Sequence, residues 1–308
     1  MRSSTYPWDE ISNFFVNSLE KSSIERNAAL GELTTYRSGG KCSLYIEVGS
    51  ARDLRTVAKL TKGHQYPIVS LGKGSNLLVA DSGFDGLVLK LGASFSSIVI
   101  EKNRVIAGGA SNLPVVARKS VASGLTGFEW AVGVPGSIGG AVRMNAGGHG
   151  SDMSMSVEKV EGVNLNSGEG YSCNRNELEF GYRESSISDE EVVSEVVLNL
   201  EIGDTATSEI ELSEIVRWRI ENQPGGQNAG SVFTNPSGDS AGRLIDAVGC
   251  KGLRIGSAHV SEKHANFIQV DPGGSSGDVL ALIEEMRNRV IAHFGVELTP
   301  ENHFLGFD

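Results

Sequence analysis

Apolar positions along the chain keep two rhythms, and each predicts its own elements. Ile11, Phe14, Phe15 and Leu19 fall at helical spacing, which predicts a helical lead-in within the first thirty residues. LYIEV at 44–48 predicts a strand. Ser50-Ala-Arg-Asp53 is a capping-box pattern opening a helix with Leu54, Val57, Ala58 and Thr61 on one face. PIVSLG at 67–72 reads as a short buried strand, followed by a glycine turn and then by LLVAD and GLVLKL as further strands. This β-α-β-β order predicts a small α+β lobe over residues 30–91.

Residues 97–107 and 156–165 read as strands, with a helix between them that takes Pro114 in its first turn and Gly124 at its end. VVSEVVLNLEI at 192–202 predicts a strand long enough to cross a sheet. A polar, turn-prone stretch at 203–208 then predicts a boundary. Beyond it the pattern predicts a helix at 209–221, a glycine loop, an SVF strand, a helix at 240–248 and a strand at 266–270. Ser275 and Asp278 cap a final helix whose stripe is Val279, Leu282, Ile283, Met286, Val290 and Phe294. The last third reads as a separate α+β domain.

Composition narrows the class. The chain of 308 residues is 39% hydrophobic and 21% charged, a globular balance. No run reaches the 18 or so apolar residues of a membrane span, and Asp9 and Glu10 stand where a signal peptide is apolar, so a cytosolic protein is expected. A net charge of −11 leaves no broad basic footprint for nucleic acid. It still allows an anionic small ligand gripped by a local group of cations and backbone N–H donors. Cys42, Cys173 and Cys250 are far apart and odd in number, which argues against a disulfide scaffold or a thiolate zinc site.

Glycine is in excess at 39 residues, about 13% against a usual share of about 7%, and the surplus concentrates between Gly72 and Gly150 without a period. There is no GxGxxG, because Gly72-Lys-Gly74-Ser-Asn-Leu77 fails at its third glycine, and no P-loop or HExxH occurs. Gly72–Asn76, between two strands, is either a plain tight turn or a nest of N–H groups suited to a pyrophosphate. The stretch Gly133-Val-Pro-Gly-Ser-Ile-Gly139-Gly140-Ala-Val-Arg-Met-Asn145-Ala-Gly147 suits no regular element and needs an irregular backbone held against something flat or anionic. Two such loops suggest a long bound dinucleotide.

GKGSNLLVADSGFDGLVL, GLTGFEWAVGVPGSIGGAVRMNAG, FGYRESS, AGSVFTNP, AGRLIDAVGCKGLRIGSAHVSEKHANFI and LTPE occur in that order. As an ordered set they resemble the UDP-N-acetylenolpyruvoylglucosamine reductase family, from about Asn27 to Gly306, in its shorter branch lacking an inserted tyrosine loop. The resemblance implies an α+β protein: a two-subdomain FAD-binding fold of the vanillyl-alcohol-oxidase type plus a C-terminal substrate-binding domain. The matching divisions are 1–91 (lead-in and first FAD-binding subdomain), 92–203 (second) and 204–308 (substrate domain). It implies non-covalent FAD, NADPH as co-substrate, a UDP-linked enolpyruvyl sugar as substrate, and a monomer in the bacterial cytoplasm with no nucleic-acid or membrane partner.

Carried over residue by residue, Gly72, Lys73, Gly74, Ser75 and Asn76 would hold the cofactor together with Val134, Pro135, Gly136, Ser137, Gly139, Gly140 and Ala141. Arg183 supplies a bidentate fork for an enolate beside a carboxylate. Ser231 occupies the family's proton-donor position and, as a poor acid alone, needs a positioned partner. Glu301 matches the third catalytic residue. Asn235 is the first choice for substrate contact, with Tyr182, Arg217 and His264 beside it; His264 lies in a turn that either binds a ligand or satisfies itself. Arg217, Arg219, Arg243 and Lys251 read either as cations that attract the UDP diphosphate or, taken singly, as solvated charges. No metal site is expected.

The chain departs from the family pattern at Thr234, commonly Lys, and near Asn222, where Lys is also common. Asn302-His303 follows Glu301 where an apolar residue is commoner. Other readings are a flavin oxidase of the same fold and a nucleotide-binding relative without turnover. More remote is a serine hydrolase, since Gly238-Asp-Ser240-Ala-Gly242 and the GxSxG at Ser275 match its motif; helix capping explains both serines better.

Overall fold

The computed structural model describes residues 5–307. Its first region is a four-stranded sheet in the order Ser23–Arg26, Cys42–Val48, Phe84–Leu91, Ile68–Leu71, antiparallel at the first pair and parallel at the others. Helix α1 (Trp8–Val16) covers it with Trp8 and Phe15. The lead-in differs from its expected stripe: Phe14 faces solvent and the helix stops before Leu19. Helix α2 (Ala51–Thr61) starts where predicted because the Ser50 hydroxyl accepts the Asp53 N–H at 3.1 Å. Leu54, Val57, Ala58 and Thr61 are all buried.

LLVAD does not join this sheet. Gly74 turns the chain at φ +62°, a left-handed conformation that glycine reaches without steric cost, and a Cβ there would lie 2.6 Å from the Leu33 carbonyl oxygen. The next strand, Leu77–Val79, then pairs in parallel with His303–Leu305 from the far end of the chain.

The second region is an antiparallel five-stranded sheet in the order Gly170–Asn174, Val157–Asn164, Glu191–Asn199, Arg104–Gly108, Ile98–Glu101. The single strand expected at 97–107 is two, folded back at Lys102-Asn103 with Lys102 at φ +58°. Helix α3 (Leu113–Ala122), with proline in its first turn, and the short α4 (Ile138–Arg143) pack on one face. Helix α5 (Thr205–Asn222), begun by the Asp204 carboxylate on the Thr207 N–H, places Leu212 and Ile215 in this second core. The buried Glu129 carboxylate ties it down, accepting from the Ser208 and Thr126 hydroxyls and the Gly127 N–H. The sequence assigned that helix to the C-terminal domain from residue 204; by packing it belongs to the second region, and the third core begins after it.

The third region holds α6 (Ala241–Ala247), three short strands (Arg254–Ile255, Ala258–Val260, Ile268–Val270) and α7 (Ser276–Phe294). The predicted α7 stripe is buried from Val279 through Val290, and Gly295 closes the helix at φ +68°. SVF is not a strand of a sheet: Phe233 makes one bridge with Pro300. Tyr36 and Leu78 of the first region enter this core, so the first and third regions share apolar packing.

Candidate active site

A narrow cleft opens between the first two regions. The Gly72 turn forms one wall and Ser137, Gly139 and Gly140 the other, with Lys73, Lys90 and Arg143 at its edge. The Ser75 hydroxyl donates to the Pro135 carbonyl at 3.1 Å and joins the two glycine loops. A Cβ on Gly72 would stand 2.6 Å from Ser137 Oγ, so a side chain there would displace that hydroxyl. Ser137 uses that oxygen to accept the Gly140 N–H at the start of α4. Arg143 is paired with Asp189, whereas among the described residues Lys73 and Lys90 form no ion pair.

Five of the expected cofactor residues line this cleft: Gly72, Lys73, Ser137, Gly139 and Gly140. The others do not. Gly74 abuts Leu33 and Thr34, Val134 and Ala141 pack with the second core, and the Gly136 carbonyl accepts the Leu113 N–H. Asn76 turns the other way, its Nδ2 donating to the Glu301 carbonyl at 2.9 Å. Lys90, Gly109, Ala110 and Arg143 line the cleft without having been singled out. Arg143 alone had a signal, its place inside the second glycine stretch.

At the junction with the third region, Arg183 Nε donates to Glu301 Oε1 at 3.0 Å and Nη2 donates to the Gly147 carbonyl at 3.1 Å. Arg183 sits at φ +62°, a left-handed conformation that costs a non-glycine residue about 1–2 kcal/mol. The turn carrying it is closed by the Gly181 N–H on the Glu184 carbonyl. Buried Asn145 grips it from below, donating to the Gly181 carbonyl at 2.7 Å while its Oδ1 accepts the Ser154 N–H. Burial pushes the Glu301 carboxyl above its ordinary value, and the Arg183 charge recovers only part of that.

Ser231 is brought alongside. The Glu301 N–H donates to the Val232 carbonyl at 2.7 Å, and the Thr234 N–H donates to the Thr299 carbonyl at 3.0 Å. Buried Asn266 clasps the same segment, accepting the Phe233 N–H at 3.0 Å and donating to the Phe233 carbonyl at 2.8 Å. Ser231 is half-buried, and no described residue hydrogen-bonds its hydroxyl.

The remaining expected residues divide. Tyr182 is exposed and lies under the Arg183 guanidinium, 5.2 Å from its ring centre. His264 is half-buried with Nδ1 accepting the Asn266 N–H; burial and then Lys251 lower its pKa. Asn235 has its Oδ1 committed to the Ala241 N–H at the start of α6. Arg217 points from the exposed face of α5, 3.9 Å from Glu214, and is not brought to the pair. The Thr234 hydroxyl donates to the distant Thr299 carbonyl, and Asn222 Nδ2 donates locally to the Trp218 carbonyl. The Ser240 hydroxyl accepts the Arg243 N–H and the Ser275 hydroxyl those of Gly277 and Asp278, so each starts a helix and no nucleophile elbow exists. Among the described residues no His, Cys, Asp or Glu group is placed to hold a metal, and no helix is long and apolar enough to cross a membrane.

Two α+β regions meeting at a glycine-walled cleft, with a third region packed on the first, make the arrangement of an FAD-binding oxidoreductase. Residues 42–174 match the FAD binding domain family, and residues 220–305 match the UDP-N-acetylenolpyruvoylglucosamine reductase, C-terminal domain, family. A UDP-N-acetylenolpyruvoylglucosamine reductase of Heliobacterium modesticaldum is 41% identical over 276 residues, 89% of this chain and 88% of that one. Its counterpart from Gloeobacter violaceus is 38% identical, covering 93% of this chain and 97% of its own. The crystal structure of UDP-N-acetylenolpyruvylglucosamine reductase from Thermus caldophilus superimposes with a TM-score of 0.80 at 33% identity, over 92% of this chain and 99% of that one. The chain belongs to the UDP-N-acetylenolpyruvoylglucosamine reductase family.

Proposed function

We propose that the protein reduces UDP-N-acetylenolpyruvoylglucosamine to UDP-N-acetylmuramate with FAD and NADPH, in the supply of peptidoglycan precursor. The observation that carries this reading is the Arg183–Glu301 pair, held beside the Ser231 segment by the Glu301 N–H on the Val232 carbonyl, in a chain that also has a glycine-walled cleft. Gly72 and Gly140 leave bare backbone there, and Lys73 and Lys90 offer charge to phosphates. The cleft residues Gly72, Lys73, Ser137, Gly139, Gly140 and Arg143 would hold the FAD. When bound, FAD supplies hydride chemistry, accepting from NADPH and delivering to carbon 3 of the enolpyruvyl group.

The chain's own residues do the rest. Arg183 has five N–H donors, of which Glu301 and Gly147 occupy one each; the rest can fork onto the substrate carboxylate. As carbon 3 gains hydride, charge develops on the enolate that includes carbon 2, and a fixed guanidinium stabilises it without reorganising. Ser231 Oγ delivers the proton to carbon 2, leaving a charge that the same cation offsets. Glu301 keeps Arg183 oriented, and burial raises its pKa. The third region would take the UDP-sugar past Tyr182 and His264. We propose further that it acts as a monomer in the cytoplasm.

The test is the visible spectrum of the full chain without oxygen, first with NADPH and then with the UDP-enolpyruvyl sugar. Flavin bands that bleach and then return support both half-reactions. Bands that return only when air is admitted favour an oxidase of the same fold. A protein that neither carries nor takes up FAD overturns the reading.

A further inference from the structure

Asn302 follows Glu301 in the chain and is buried, with 4% of its surface exposed. A carboxamide is retained in such a place where its hydrogen bonds are made. Its Nδ2 donates to Asn76 Oδ1 at 2.8 Å and approaches the carbonyls of Ala229 and Ser231, each at 3.2 Å. Two hydrogens serve three acceptors, so the short bond to Asn76 takes one and the two carbonyls share the other. On the opposite side the fully buried Tyr36 hydroxyl points to Asn302 Oδ1 at 3.5 Å. Asn76 then closes a ring: its Nδ2 donates to the Glu301 carbonyl and its own carbonyl accepts the His303 N–H at 3.0 Å.

We infer that Asn302 is a positioning residue: through one buried carboxamide it sets the main chain of Ser231 and, by way of Asn76, that of Glu301, against the loop that forms one wall of the cofactor cleft. Its catalytic consequence rests on the function proposed above; its geometric content does not. A leucine keeps the branched four-atom side chain, in a bulkier form, but donates nothing, so the Ser231 carbonyl and Asn76 lose their common partner and the two segments slide independently. A displacement on the order of 1 Å at a proton donor costs about a hundredfold in rate. Hydride delivery into the cleft does not depend on Ser231 and is spared.

The test uses Asn302→Leu in the full chain as purified, with two measurements. Hydrogen exchange at the amides of Glu301 and His303 should quicken about tenfold, the loss of one buried bond, while α7 amides keep their rates. Stopped-flow traces, normalised to bound flavin, should show reduction by NADPH within about twofold of the parent and reoxidation by the UDP-enolpyruvyl sugar slowed ten- to a hundredfold. Unchanged exchange at both amides overturns the inference. So does an equal fall in both half-reactions, the mark of a general loss of structure. Should Asn302→Leu fail to fold, Asn76→Ala removes the same link from its less buried end. The same two amides must then loosen, and their staying protected overturns the inference equally. If the parent protein never reoxidises with the UDP-sugar, the functional reading fails, and the exchange result alone decides the role of Asn302.

Discussion

The guanidinium of Arg183 and the carboxylate of Glu301 meet at 3.0 Å across 118 residues of sequence, each side chain largely out of water, with 24% and 19% exposed. Burial is the stronger influence on Glu301 and Arg183 the weaker, so the folded protein favours the neutral carboxyl more than the unfolded chain does. A raised folded-state pKa stabilises the fold below the unfolded value of about 4.3 and withdraws that support as pH rises through the folded value.

Glu301→Gln should therefore be at least as stable as the parent at pH 8, and the difference should close near pH 4, where the parent carboxyl is protonated. Turnover should nonetheless fall about a hundredfold or more, the usual loss for a displaced acid–base group. Urea unfolding at the two pH values and a steady-state assay check both halves. A variant clearly less stable than the parent at pH 8 would mean that Arg183 outweighs burial.

Ser231→Ala leaves the Asn302, Asn266 and Glu301 bonds to its segment in place, because all of them use main chain. The variant should fold normally and accept hydride from NADPH at the parent rate. Reoxidation by the enolpyruvyl substrate should slow about 10²- to 10⁴-fold. Normal reoxidation in a rapid-mixing experiment would remove Ser231 from the proton path.

How much of this could be read in advance depended on range. α2 and α7 were readable because cap, apolar stripe and stop lie within one helix length, as at Ser50–Thr61 and Ser275–Gly295. The Lys102 turn was not, since it contains no glycine or proline to punctuate the apolar run. The partner of Leu77–Val79 and the allegiance of α5 were hidden for another reason. One is decided by a strand 226 residues away, from Leu77 to His303, and the other by a Glu129–Ser208 bond spanning 79 residues. The site divides the same way. Arg183, Ser231 and Glu301 stand in short recognisable motifs. Asn145, Asn266 and Asn302 act through main-chain bonds to distant segments, and an isolated asparagine announces none of that.

The cleft wall gives a steric prediction. Alanine at Gly72 places a methyl group 2.6 Å from Ser137 Oγ, and the hydroxyl must leave the Gly140 N–H to make room. Overpacking of this kind costs about 1–3 kcal/mol. Gly72 lies at negative φ, so no backbone strain adds to it. The loss should fall on FAD affinity by roughly tenfold or more, read by fluorescence titration of the stripped protein. An unchanged dissociation constant would place the cofactor away from this wall.

The last prediction concerns how the first and third regions are held together. Asp81, just past the Leu77–Val79 strand, accepts from Ser275 Oγ at 2.5 Å, the Ser276 N–H at 3.0 Å and the Gly277 N–H at 3.2 Å, so a residue of the first region caps α7 of the third. Ser38 strengthens the junction by donating to the Gly274 carbonyl at 2.8 Å. Partial burial resists ionisation of Asp81, but the bonds from Ser275, Ser276 and Gly277 together outweigh it and hold its pKa below the ordinary value. A depressed folded-state pKa gives stability that is present above the unfolded value of about 3.9 and lost as pH falls through the folded one. Asp81→Ala should cost about 1 kcal/mol at pH 7, the usual loss of a helix cap. As pH falls through the depressed folded value, parent and variant should converge, because the parent carboxylate is then protonated. Asp81 is outside the cleft and the Arg183–Glu301 pair, so flavin reduction by NADPH should keep its rate. A variant as stable as the parent at pH 7 would show that apolar packing around Tyr36 and Leu78 holds the junction without the cap.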